Sequence, residues 1–101
     1  MIILKGKYQG ETIKIAFDFL SRLAVGETIS TQAVSATTYS GTDASPSAII
    51  SGVATASGSI VTQTITGGVA GVIYNLVCAI TTSLGQTLHI SAFLAVQPDS
   101  V

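Results

Sequence analysis

The residues able to do chemistry are few. His89 is the one histidine, Cys78 the one cysteine, and the carboxylates are Glu11, Asp18, Glu27, Asp43 and Asp99. Serine is plentiful, but Ser-His-Asp hydrolysis needs a base and an orienting acid positioned on one nucleophile. No Gly-x-Ser-x-Gly elbow occurs. Asp18 and Glu27 could pair as two carboxylates, yet nothing in the sequence suggests a cleft around them. One histidine, one cysteine and scattered carboxylates do not build a metal site. The Gly67-Gly68-Val69-Ala70-Gly71 stretch has the glycines of a phosphate loop. It lacks the Lys-Ser/Thr that follows them in such a loop, and it leads into a strand rather than a helix N-terminus. It reads as a turn that needs positive φ. The expectation is no enzyme: no catalytic residue, no metal and no cofactor.

The elements that position these residues are β-strands. Val72, Tyr74, Leu76, Cys78 and Ile80 alternate, as do Leu88, Ile90, Ala92, Leu94 and Val96. Each set lies on one face of a pleated strand. The residues 83–86, Ser-Leu-Gly-Gln, join the two as an antiparallel hairpin. Cys78 falls in the inward phase and reads as a small core residue. His89 falls in the outward phase. Tyr74 also points inward, so its hydroxyl needs a partner, and a bond back to a nearby connection would provide one.

Earlier in the chain, Ile13, Ile15, Phe17 and Phe19 alternate against Thr12, Lys14, Ala16 and Asp18, which predicts a half-buried strand over 11–19. Residues 2–5 are a short strand or arm. Residues 21–26 read as a loop, with Leu23 or Val25 plugging the core edge. A further strand covers 27–38. Ile29 and Val34 are out of phase within it, which asks for a bulge between them. Residues 39–47 read as a loop, 47–51 as a short strand, 52–59 as turn-prone and 60–66 as a strand. Pro98 stops further pairing after the last strand. About seven short strands at close spacing predict an all-β fold, a single β-sandwich over residues 1–101. Within it, 1–10 is an N-terminal arm or edge strand and 97–101 a tail.

Composition narrows the function classes. Charged residues make up 9% of the chain and the net charge is −1, so the basic footprint of a nucleic-acid binder is missing. Seven of the nine charges lie in the first 27 positions; only Asp43 and Asp99 follow. The rest of the chain is neutral and rich in serine and threonine, a composition suited to meeting other protein. No apolar run approaches the ~20 residues of a spanning helix, and no signal-peptide pattern opens the sequence. No membrane partner is expected. Ile73, Val77 and Ala79 lie opposite the core phase of their strand, and Phe93 and Ala95 opposite that of the next. They form an outward apolar patch, read either as a contact surface or as ground covered by the N-terminal strand. Ile2, Ile3 and Leu4 could form an arm that adds to a neighbour's sheet. The candidate interface residues are therefore Ile2, Ile3, Leu4, Ile73, Val77 and Phe93.

Three segments carry a family resemblance: IAFDFLSRLAVGETIST (15–31), TQTITGGVAGVIYNLVCAITTSLGQTLHISAFLAV (62–96) and, less fully, PSAIISG (46–52). They resemble small immunoglobulin-like virion proteins of tailed bacteriophages, akin to fibronectin type III modules. The matching elements are Asp18, Gly26-Glu27-Thr28-Ile29, Gly67-Gly68, Gly71, Tyr74, Thr81-Thr82 and Gly85-Gln86. The resemblance implies an immunoglobulin-like sandwich and a structural protein of the virion, made in the bacterial cytoplasm. Its implied role is foremost capsid decoration on the shell, and alternatively a neck or tail accessory. Implied partners are the major capsid protein or neck and tail proteins, with homo-oligomers left open. A free-standing module that binds carbohydrate or a host surface is the competing reading. Exposed, adjacent Tyr8 and Tyr39 would favour it.

Overall fold

The computed structural model describes residues 2–3 and 7–97. It is all-β, two sheets packed face to face. The strands are β1 (Ile2–Ile3), β2 (Lys7–Tyr8), β3 (Thr12–Asp18), β4 (Ile29–Ser40), β5 (Ile50–Ser57), β6 (Ile60–Thr66), β7 (Ile73–Thr82) and β8 (Thr87–Gln97). The larger sheet runs β1-β8-β7-β4, with β2 also pairing β8; the smaller runs β3-β6-β5. Both N-terminal strands lie parallel to β8, while the other pairs are antiparallel.

Alternation places the core. Ile15, Phe17 and Phe19 from the β3 segment and Val61 and Ile65 from β6 face Tyr74, Leu76, Cys78 and Ile80 of β7 and Leu94 and Val96 of β8, all buried. A two-residue period with one apolar face is what a sheet covered on one side requires. Burial pushes the Cys78 thiol up to about 11, so it stays protonated and inert at neutral pH.

β5 shows how an irregular strand is kept. Its register on β6 slips between Ser51 and Thr55, at Gly52 with φ +72°. The slip takes backbone carbonyls out of the ladder, and two glutamine amides take their place. Buried Gln63 donates to the carbonyls of Ser51 (2.8 Å), Gly52 (3.4 Å) and Thr64 (2.9 Å). Gln32 of β4 donates across to the Ala54 carbonyl at 3.0 Å, tying the edges of the two sheets together.

The structure corrects several expectations. Residues 47–49 belong to a 3-10 turn (Pro46–Ile49), not a strand: proline opens it and Ala48 N–H closes on the Ser45 carbonyl. The strand follows at Ile50–Ser57, over a stretch that reads as turn-prone because its residues are small. β4 runs on through Tyr39 and Ser40, with the expected bulge between Ile29 and Thr31 and a second between Thr38 and Ser40. There are eight described strands rather than about seven, because the N-terminal segment contributes two short ones. Leu23 packs against the core, whereas Val25 is fully exposed. Ile2 and Ile3 pair in parallel with the chain's own β8, opposite Ala92 and Phe93. Leu4 and Pro98 lie outside the described residues.

Candidate interaction surfaces

Two networks set the ends of the sandwich. At one end, Tyr74 spans two connections. Its hydroxyl donates to Asp43 Oδ2 at 2.6 Å and accepts from the Val69 N–H at 2.8 Å. The bond back to the 67–71 connection is the one the inward phase of Tyr74 called for. The Tyr74 hydroxyl and the Ser45 N–H hold the Asp43 carboxyl below its ordinary range, while burial raises the Tyr74 hydroxyl's own value. Gly67, Gly68 and Gly71 all have positive φ, confirming a turn. At Gly68 a Cβ would stand 2.9 Å from Val96 Cγ2. Lys7 is buried beside this turn, its ammonium donating to the carbonyls of Gly67 (2.7 Å), Tyr8 (2.7 Å) and Gln9 (3.3 Å).

At the other end Glu27 does similar work. One carboxylate oxygen accepts from the Ala24 N–H at 2.9 Å, the other from the Thr82 hydroxyl at 2.5 Å. The Thr82 bond is the larger cause of a lowered Glu27 pKa, the Ala24 bond the next. Ser83 exchanges bonds with Thr28, so the 24–28 loop is stapled to the β7–β8 turn. Asp18 instead caps Leu20 N–H and takes the Ser59 hydroxyl. Each of the two carboxylates is thus committed to its own loop. The stapled loops leave Leu20, Val25 and Leu84 largely exposed. Leu20 and Val25 rim an open hollow of about 470 Å³ that also takes in Leu23, Gly58 and Ser59.

The broad surface is the outer face of the larger sheet. Ile73, Asn75, Val77 and Ala79 of β7 run down its middle, half-buried. Ala33, Ser35, Thr37 and Tyr39 of β4 flank them on one side, exposed, and His89, Ser91, Phe93 and Ala95 of β8 on the other. Tyr39 and Phe93 reach over β7 and meet with ring centroids 4.3 Å apart. Asn75 lies between their strands, opposite Phe93 and Thr37, and its side-chain oxygen is buried without a hydrogen-bond partner. No Asp, Glu, Lys or Arg stands among these residues.

Of the candidate interface residues, Ile73, Val77 and Phe93 share this face. Ile2 and Ile3 sit at register positions along the β8 edge. The N-terminal strands extend the sheet sideways, so they do not cover the patch. Tyr39 opens a segment of loop composition, yet it belongs to β4 and continues the Ala33, Ser35, Thr37 alternation. Its ring partner is Phe93; Tyr8 pairs opposite Gln97, four residues further along β8. His89 is exposed, as its phase predicts. Among the described residues no group of three or more His, Cys, Asp or Glu could hold a metal ion. Among the described residues no helix is long and apolar enough to cross a membrane.

A family model described as "Podophage GP4 fiber-tail adaptor protein gp77" matches residues 7–95. The chain belongs to this family. It is a structural protein of the phage virion. No curated protein and no solved structure matches the chain. The family's printed description fits the alternative expectation, a tail accessory, better than the foremost one, capsid decoration. The match takes in both end networks and nearly all of the uncharged face.

Proposed function

We propose that this gp77-family chain is a non-enzymatic adaptor that joins tail fibre to tail, through contacts with other virion proteins. The observation that carries the reading is the family match over residues 7–95, whose printed description is a fiber-tail adaptor. The structure supports it in kind. An adaptor needs more than one contact surface. This elongated molecule, 47 × 21 × 19 Å, offers an uncharged sheet face and, separately, an end carrying Leu20, Val25 and Leu84. Exposed apolar groups of this size on a chain with few charges suit burial against protein. The sandwich itself is read as immunoglobulin-like, which the two antiparallel-dominated sheets and the Tyr74 hydroxyl bond to the 67–71 connection favour. Such modules serve many functions, so fold alone assigns none.

The test is genetic. In the phage that encodes it, loss of this chain is expected to yield particles with filled heads and tails but without fibres, as seen by electron microscopy. Particles that keep their fibres contradict the adaptor reading.

A further inference from the structure

We propose that the outer face of the larger sheet, centred on Tyr39 and Phe93, is the surface on which a virion partner docks with a flat, uncharged, β-sheet face of its own. This rests on the adaptor reading and names one of the surfaces it uses.

Three observations select the occupant. The first is charge. Ser35, Tyr39, Asn75, Val77, Ala79 and Phe93 lie on the face, with no Asp, Glu, Lys or Arg among its described residues. A charged partner would lose hydration there and gain no counter-charge, so the complementary surface is neutral. The second is shape. Three neighbouring strands paired in register, with small side chains around the one ring pair, make a broad sheet face, the geometry that takes another sheet at ~10 Å. The third is the orphan oxygen of Asn75, buried on the central strand between those that carry the two rings. Buried carbonyls find partners in nearly all folded structures. A partner that presents a donor there satisfies it.

Area argues against a second copy as the occupant. From Ile73 to Thr81 the face is about 27 Å long and, across three strands, about 14 Å wide, on the order of 400 Å². A stable interface takes about 800 Å² from each partner. The face alone does not hold a free dimer. It suits one contact among several in an assembled particle, where effective concentration supplies the rest.

The test is hydroxyl-radical footprinting of purified particles against the free chain, read at Tyr39 and Phe93, with buried Tyr74 as the internal standard. In the free chain Tyr39, 63% exposed, is oxidised readily. In the particle its rate is expected to fall to that of Tyr74. Ser35→Lys should fold with unchanged melting and Tyr39→Lys with a fall of a few degrees from the lost ring contact, and both should fail to enter particles. Val53→Lys, on the smaller sheet and more exposed than Tyr39, should enter normally. Tyr39 as reactive in the particle as in the free chain, or normal incorporation of Tyr39→Lys, overturns the proposal and leaves the adaptor reading standing. A free dimer by sedimentation equilibrium with Tyr39 protected would make a second copy the occupant and overturn it as well. A chain absent from fibre-bearing particles refutes the adaptor reading itself.

Discussion

Replacing Gln63 with leucine tests whether side-chain amides hold β5 in place. Gln63 is buried in the smaller sheet, between Val61 and Ile65 on the same face. Its amide makes two well-formed bonds, to Ser51 O at 2.8 Å and Thr64 O at 2.9 Å, and a long one to Gly52 O at 3.4 Å. Each good bond contributes about 0.5–1.5 kcal/mol net, so the substitution should destabilise by about 1–3 kcal/mol. Leucine is near in volume, so little cavity cost is added. For a chain of this size that is a fall in Tm of about 5–15 °C. The assay is urea unfolding by far-UV circular dichroism, where the midpoint should drop with the slope unchanged. Hydrogen exchange should quicken most in β5, beyond the rise that the lost global stability gives β7, because only the β5 slip depends on this amide. A midpoint equal to or above the parent's, or exchange in β5 quickened no more than in β7, would refute the reasoning.

Further outcomes follow from the same geometry. Gly68→Ala should destabilise far more than Gly85→Ala: both have positive φ, but only at Gly68 does a Cβ meet another side chain, at 2.9 Å. The strain of a left-handed residue alone is about 1–2 kcal/mol, so thermal melts of the two variants separate strain from collision. Glu27 and Asp43 both have folded pKa values below their unfolded ones. Their contribution is present above the unfolded carboxylate pKa of about 4 and is lost as pH falls through the lowered folded values. Melting temperature should therefore drop on acidification, and the drop should shrink in Thr82→Val and Tyr74→Phe. Cys78 should resist thiol reagents in the folded chain and react on unfolding, since it is fully buried and its thiol is pushed up to about 11.

Much of this architecture is legible in the residues, for a physical reason. β7 is central in its sheet and has one face on the core, so Val72 to Ile80 must alternate, and do. The bulge near Ile29 is legible because two core residues out of phase leave the strand no other repair. β5 is an edge strand of small residues with a slip at Gly52, so it carries little contrast between its faces. It is held by Gln63 of the neighbouring strand and Gln32 of the other sheet, contacts that its own residues do not announce. Tyr39 sits just before Gly41 and Asp43, whose turn composition masks the end of β4. The pairing of Ile2 and Ile3 with the chain's own β8, and of Tyr74 with Asp43, are long-range choices that no local pattern encodes. The uncharged face was visible as Ile73, Val77 and Phe93, while its aromatic centre depended on placing Tyr39.

The most direct test of the adaptor account is quantitative mass spectrometry of purified particles, with the chain measured against the major capsid protein and the tail proteins. The account predicts a fixed small ratio to the tail proteins and joint loss with the fibres when tails are stripped of them. A fixed ratio to the major capsid protein, retained on emptied heads, would contradict it and return the chain to the shell.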